Sequence, residues 1–414
     1  MFLTKRFYIL VLVVILLLGG GYLFGSLFII GQFEGVAGTT AVSIGSQVMH
    51  MLTVMIVGLA MGATVNIGQA IGARDKKRAA ADTGNTVTLF MMLSIVLTIV
   101  LFFSVNGIVR IMSTPQEAAA GTAMYLRICF MGIPFITAYN IISSIFRGMG
   151  DSKSPMYFIA IACAVNIVLD YIFMGAMHLG PSGAALGTTL SQTVSVVVAL
   201  VMFIKGKTGI TVKKSDFKPR KETMGRLLKV GFPISMQDGL IQVAFIIITI
   251  IANRRGLTDA AAVGIVEKVI SFLFLVPSSM LSAVSALGAQ NVGAGKPQRA
   301  AETLKYAIMI SLAFAIIVTT ICEIDGTILT CIFTNNQDVI KNGALYLKTY
   351  SIDCLLTSFL FCINGYLNGY EKTVFTMVHS LVATFIGRIP LTLLFSKIPN
   401  VTLFHMGIAA PLST

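Results

Sequence analysis

Asp170 falls inside an apolar run, 155–177, with Asn166 four residues before it, a spacing that puts both side chains on one face of a helix. A carboxylate in the middle of a membrane costs about 3 kcal/mol, so a sequence that keeps one there gives it a partner or a task. Low dielectric penalises the charged form of an acid. A carboxyl group in such a pocket can therefore load and release a proton, and the pair reads as an ion-coupling site. The same two residues could instead be a hydrogen-bonding knot between helices. The second half of the chain carries its own polar set within apolar runs: Gln237, Asp238, Glu267, Asp353 and Arg388. Asp353 and Arg388 could form a buried ion pair that fixes two helices, or the set could hold a cation.

The elements that must position these residues are long and apolar. Hydrophobic residues make up 56% of the 414-residue chain and charged ones 11%, and the apolar residues fall in blocks of about 20 to 30, the length that crosses a hydrocarbon core. Thr86 to Phe103, Met156 to Met177 and Tyr306 to Ile321 are apolar nearly all round, without the polar face that a soluble helix keeps. The expected fold is an all-α polytopic membrane protein. Counting blocks between charged or Gly/Pro-rich breaks gives about eleven spans, near 7–31, 43–71, 85–112, 122–146, 155–177, 183–204, 230–252, 260–290, 304–334, 343–368 and 373–396. Lys5-Arg6 before Phe7 to Leu18 resembles a leader, but no convincing small-residue cleavage site follows, so this segment reads as the first span.

Charge placement sets the orientation. The net charge of +13 is concentrated in alternate loops: Arg74, Lys76, Lys77 and Arg78, then Arg147 and Lys153, then the run from Lys205 to Lys229, then Lys296, Arg299 and Lys305. Such alternation argues against a nucleic-acid partner and for a lipid bilayer, with the N-terminus and the basic loops in the cytoplasm; Arg254 and Arg255 are the main exception. Arg147, Asp151, Lys153 and the Arg74 to Arg78 run read as topology and loop anchors at helix ends. Cys129, Cys163, Cys322, Cys331, Cys354 and Cys362 lie in apolar stretches without C-x-x-C spacing and read as small buried residues. No H-E-x-x-H metal motif occurs, and Gly295-Lys296 lacks the rest of a phosphate-binding loop, so neither a metal nor a nucleotide cofactor is expected.

The chain repeats itself. Gly68-Gln69-Ala70-Ile71-Gly72-Ala73 with Arg78-Ala79-Ala80 returns as Ala289-Gln290-Asn291-Val292-Gly293-Ala294 with Arg299-Ala300-Ala301, and Tyr125-Leu126-Arg127 returns as Tyr346-Leu347-Lys348. Gly150-Asp151-Ser152-Lys153-Ser154 pairs with Gly369-Tyr370-Glu371-Lys372-Thr373. Two copies in the same order imply two pseudo-symmetric lobes related by an axis along the membrane normal. The expected division is an N-lobe, 1–204, a cytoplasmic linker, 205–225, and a C-lobe, 226–414. The last residues, Gly407-Ile408-Ala409-Ala410, match the start of the first lobe's sixth helix at Gly183-Ala184-Ala185, so a twelfth helix is expected to be cut short. Small residues at helical spacing (Gly58, Gly62, Gly68 and Gly72; Ser278, Ser282 and Ala286) allow close, sliding helix contacts.

These features resemble the multidrug and toxic compound extrusion family. The resemblance rests on Gly31-Gln32-Phe33-Glu34-Gly35, the Gln69 to Ala79 stretch, Phe146-Arg147-Gly148-Met149-Gly150-Asp151-Ser152-Lys153-Ser154-Pro155-Met156, Asn166-Ile167-Val168-Leu169-Asp170 and Arg388-Ile389-Pro390-Leu391. It implies two six-helix lobes and an ion-coupled antiporter that exports small amphipathic organic cations by alternating access, with proton or sodium as the coupling ion. It adds Tyr125 and Thr188 to the cluster around Asp170 and Asn166. It also implies a multi-pass protein of the inner or plasma membrane, working as a monomer. Two departures lie in the first helix: Ser26 stands where the family usually has an Asp, and the block Phe7 to Gly21 is plainer and more leucine-rich than the family's. In addition, Thr357 stands at a tenth-helix position where some members carry a sodium-binding acid, one turn beyond Asp353.

A lipid-linked oligosaccharide flippase of the same architecture is the alternative, but its diphosphate cargo calls for a cationic cavity, and the mid-membrane charges here are mostly acidic. An intramembrane enzyme fits poorly, because Asp170 and Asp353 lie in different lobes and no Asp-rich metal motif is present. A receptor or scaffold without transport is the other class considered.

Overall fold

In the computed structural model the described residues are 29–30, 35–205, 210–334, 336–398 and 402–414. The first expected span, 7–31, and Ser26 lie outside them, apart from Ile29 and Ile30, which are helical. Fifteen α-helices follow: α1 Val36–Gly72, α2 Lys76–Ile111, α3 Gln116–Met131, α4 Ile133–Gly148, α5 Lys153–Asp170, α6 Gly180–Ile204, α7 Lys221–Asn253, α8 Leu257–Leu273, α9 Leu275–Gly293, α10 Pro297–Asp325, α11 Thr327–Thr330, α12 Gln337–Gly369, α13 Thr373–Val382, α14 Ile389–Lys397 and α15 Leu403–Ser413. Eight of the helical stretches are long and apolar enough to cross a membrane, and ten if each bent pair counts as one span. No strand occurs among the described residues.

Two expected spans are broken. The run 122–146 is α3 and α4, bent by 49° at Gly132, and 260–290 is α8 and α9, bent by 40° at Phe274. Proline explains both, since its ring clashes with the carbonyl four residues earlier and its nitrogen donates nothing. Pro134 faces the Phe130 carbonyl and Pro277 the Leu273 carbonyl, and each break falls within those four residues. Of two six-residue π turns, Tyr171–Ala176 ends the span of α5 and Ala383–Arg388 joins α13 to α14.

The chain folds as two compact units, one of residues 1–71 and 75–228, the other of 72–74 and 229–414. In the first, α5 and α6 pack along each other, α6 also meets α3 and α4, and α4 lies against α2. The core joins Val42, Met49 and Ile56 of α1 to Leu126, Phe130 and Ala184. In the second, α12 is the hub and contacts α8, α9, α10 and α15. It is the least apolar of the long spans, yet half of it is buried, whereas α2 is the most apolar and mostly uncovered. Lipid demands an apolar face, while a helix ringed by helices can keep polar side chains that bond to its neighbours.

The segment expected as a linker docks onto the first unit. A 3-10 turn, Lys214–Phe217, lies against α2. Asn85 Nδ2 donates to the Asp216 carbonyl at 3.0 Å, its Oδ1 accepts from the Arg220 N–H at 2.7 Å, and Thr88 Oγ1 donates to the Phe217 carbonyl at 2.8 Å. Below them Asp82, fully buried, faces Arg78 at 3.5 Å and Arg226 at 3.3 Å. Arg78 and Arg226 thus anchor structure inside the unit.

The structure corrects two sequence readings. Left-handed residues that turn the chain between helices are Arg74 and Gly295 after one helix, and Gly150 and Glu371 after another. Both pairs are 221 apart, the offset that also relates Tyr125 to Tyr346, so Gly150 is equivalent to Glu371 rather than Gly369. The duplication therefore keeps one register, and the sequence pairing slipped because both segments offer a glycine. Cys331 is exposed and Cys163 half-buried, so the cysteines are not uniformly core residues. Arg255, one of the two exceptions to the basic-loop pattern, donates Nε to Asp259 Oδ2 at 3.0 Å and Nη1 to the Ser396 carbonyl at 3.2 Å.

Candidate functional site

Asp170 is the last residue of α5, and Asn166 lies one turn before it; both are completely buried. Asn166 Nδ2 donates to Asp170 Oδ1 at 3.3 Å. The neighbouring helix admits this carboxylate only because it presents Gly187, where any Cβ would collide with Asp170 Oδ1. The π turn begins at the next residue, Tyr171. An extra residue per turn at a buried acid is a distortion that recurs at functional sites.

Thr188, next in the chain to Gly187, lines a cavity of about 150 Å³ within the first unit, together with Tyr125, Tyr139, Asn140 and Gln192 and with His50 of α1. Gly45 makes room for Tyr125, whose ring lies where a side chain at 45 would be. The predicted residues of this lobe thus fall into two adjoining pairs: Asp170 with Asn166 behind Gly187, and Tyr125 with Thr188 on the cavity wall. Sequence reasoning missed His50, Asn140 and Gln192. Ser46, His50 and Thr53, at i, i+4 and i+7, carried the signal of a polar stripe on an otherwise apolar helix.

In the second unit the predicted residues separate. Arg388 Nη2 meets Asp353 Oδ2 at 2.8 Å, with the Asp353 side chain fully buried and that of Arg388 15% exposed. Arg388 Nη1 donates to Tyr350 Oη at 3.1 Å, its Nε reaches Ser413 Oγ at 3.4 Å, and its guanidinium lies 5.5 Å from the Tyr350 ring centroid. One cation thereby ties α12, the π turn and α15 together. Asp353 Oδ1 has no hydrogen-bond partner among the described residues. Glu267 of α8 accepts from Thr249 Oγ1 of α7 at 3.0 Å and lies within electrostatic reach of Tyr346 and Tyr350, whose rings are 5.6 Å apart. Gln237, buried, and Asp238, half-buried, sit earlier on α7, about 18 Å by helical rise from Thr249. Thr357, one turn beyond Asp353, is buried and brings no charge. Tyr350 and Ser413, which complete the arginine's shell, carried no signal in the sequence.

Outside the spans, Asp151 shapes the entry to α5. Its Oδ1 accepts from the Lys153 and Ser154 N–H groups, each at 3.0 Å, and its Oδ2 accepts from Ser154 Oγ at 2.6 Å. Burial alone would raise its pKa, but these hydrogen bonds and the Lys153 charge outweigh that and hold it below the ordinary carboxylate value.

Comparison with known proteins follows the same division of the chain. The model of the family described as MatE matches residues 11–172 and again 233–394, one match in each half. The probable multidrug resistance protein YoeA of Bacillus subtilis is 30% identical over 289 residues, 68% of this chain and 62% of that protein's length. YpnP of the same organism, also described as a probable multidrug resistance protein, is 28% identical over 367 residues, 89% of this chain and 82% of its own. Among solved structures, an outward-facing multidrug resistance MATE transporter of the MOP superfamily superposes with a TM-score of 0.89 at 22% identity, covering 97% of this chain and 90% of the other.

Proposed function

This chain belongs to the MatE family, whose model it matches twice, and from that premise we propose that it is an ion-coupled antiporter exporting small amphipathic, mostly cationic drugs or toxins. The observation that carries the reading is Asp170, buried with Asn166 behind a glycine and next to a polar cavity. In this reading a proton or sodium ion moves down its gradient onto the carboxylate and cargo leaves in exchange. One elementary charge crossing 100 mV supplies about 2.3 kcal/mol, enough for modest uphill export. Loading neutralises Asp170, and the neutral acid makes different hydrogen bonds with Asn166 from the ion, so the lobe has two states to alternate between. A proton is the favoured ion because the lobe's candidate ligand, Asp170, is a completely buried carboxyl group, while Asp353 of the second unit is matched by Arg388.

The cargo class draws on two supports: the acids Asp170, Asp238, Glu267 and Asp353, buried or half-buried within the spans, and the description of YoeA and YpnP as multidrug resistance proteins. The site of action is the inner or plasma membrane, with the N-terminus and the basic loops on the cytoplasmic side. Everted vesicles loaded with a fluorescent organic cation, under separately imposed proton and sodium gradients, test the reading. Gradient-driven cation movement should be present in the wild type and lost in Asp170→Asn. Unchanged movement in that variant would remove Asp170 from the mechanism.

A further inference from the structure

Arg147 stands at the end of α4, where the sequence suggested an anchor at the membrane surface. The structure places it differently. It is half-buried, its Nε is buried without a hydrogen-bond partner, and it forms no ion pair with any described acid. The nearest acid in sequence, Asp151, is engaged by Lys153 and Ser154. Arginine stays charged at any physiological pH, so a whole positive charge is held in this unit without a matching carboxylate. The carbonyl end of α4 supplies part of its compensation, since Arg147 lies in that helix's last turn.

The charge has a definite neighbourhood. Tyr139, Ser143 and Arg147 are at i, i+4 and i+8 and therefore share one face of α4. Tyr139 lines the cavity of this unit, Ser143 lies beside it, and Arg147 is within electrostatic reach of the Tyr139 hydroxyl. A helical side chain leans toward the N-terminus of its helix, so Arg147 turns back along the stripe toward the cavity. About 12 Å of helix separates the two ends. The two hydroxyls form a short polar seam between the cavity and the helix end, Ser143 itself being buried outside the cavity wall.

We propose that Arg147 is an electrostatic stopper: its fixed positive charge at the foot of the Tyr139–Ser143 stripe bars protons and small cations from crossing the first unit, so that an ion loaded in the lobe leaves only by the route that returns cargo. A fixed positive charge performs the same physical service wherever a pore must exclude cations. An antiporter needs such a barrier, because every ion that slips through without exchange spends gradient and moves nothing. The inference rests on the transport reading above for its purpose, but its measurement needs no cargo.

Purified protein in liposomes, with an internal pH dye and the potential clamped at zero by valinomycin and potassium, reports passive proton flux. Arg147→Gln should raise that leak about tenfold over wild type, and Arg147→Lys should keep it near the wild-type rate. Ser143→Asp, which places an opposite charge one turn from an intact Arg147, should raise the leak too and decides the matter if Arg147→Gln does not fold. Wild-type leak in the folded Gln and Asp variants overturns the proposal, as does equal leak in the Gln and Lys variants, because charge would then be irrelevant. If instead the transport reading is at fault, wild-type vesicles will show no cargo-dependent proton movement while the ordering of leak rates stands.

Discussion

The two units repeat one sequence plan at an offset of 221 residues but handle their buried acids differently. In the first, Asp170 rests on an amide from the same helix and against the bare backbone of Gly187. In the second, Asp353 is held by a guanidinium that also binds a tyrosine and a serine. Position 353 is equivalent to Gly132, where the first unit bends by 49°, while α12 runs on unbroken. One copy of the plan has spent that position on a hinge and the other on a charge. A duplicated scaffold can thus treat two mid-span acids differently, bonding one to an amide beside a glycine and pairing the other with a guanidinium, as Asp82 is paired near the start of α2.

The strongest way to break this comparison is to neutralise each acid in turn. Asp170→Asn should bring gradient-driven export to background while leaving the detergent melting temperature nearly unchanged; a large loss of stability would make Asp170 structural, as Asp353 is. The second unit should respond in the opposite sense. Removing Arg388 alone, as Arg388→Met, should cost about 3–5 kcal/mol because it leaves Asp353 charged and buried. The double variant Arg388→Met with Asp353→Leu should recover much of that, as read by melting and by expression of monodisperse protein. Equal damage in the single and double variants would dissolve the ion-pair account. Gly187→Ala should be milder for folding, about 1–3 kcal/mol for an overpacked contact, but should displace the Asp170 carboxylate and shift the pH dependence of export.

The smallest effect belongs to Asp151. Its folded pKa is lowered, so its contribution to stability is complete above the unfolded value of 3.8 and is lost as the pH falls below that through the folded value. The melting difference between wild type and Asp151→Asn should therefore be constant near neutral pH and close only in strong acid.

The helical spans and the Asp170–Asn166 pair were legible because both follow from spacing: apolar block length for the first, four residues for the second. The broken spans carry Pro134 and Pro277, whose rings favour a bend, but block counting ignores proline, and Pro233 inside unbroken α7 shows that proline alone does not decide it. Gly187 was beyond the sequence, since its role depends on what lies across from it in another helix. Arg147 misled for a related reason. Position at a helix end says which loop a charge belongs to but not whether the side chain turns outward to headgroups or back into the bundle. The linker docking was hidden likewise: Asn85 looks like an ordinary interruption of an apolar helix until the Asp216 carbonyl and the Arg220 N–H are placed on it.

The π turn at Tyr171–Ala176 also governs which length changes the fifth span can absorb. A π turn carries one residue more than the α ladder needs, confined to that turn. Deleting one residue inside it should close the ladder as regular α-helix and leave both flanks aimed as before. The same deletion a few residues earlier would swing everything beyond it by about 100°, turning Asp170 away from Gly187. The tolerance of this span to shortening is therefore concentrated in six positions, all of them beyond the acid.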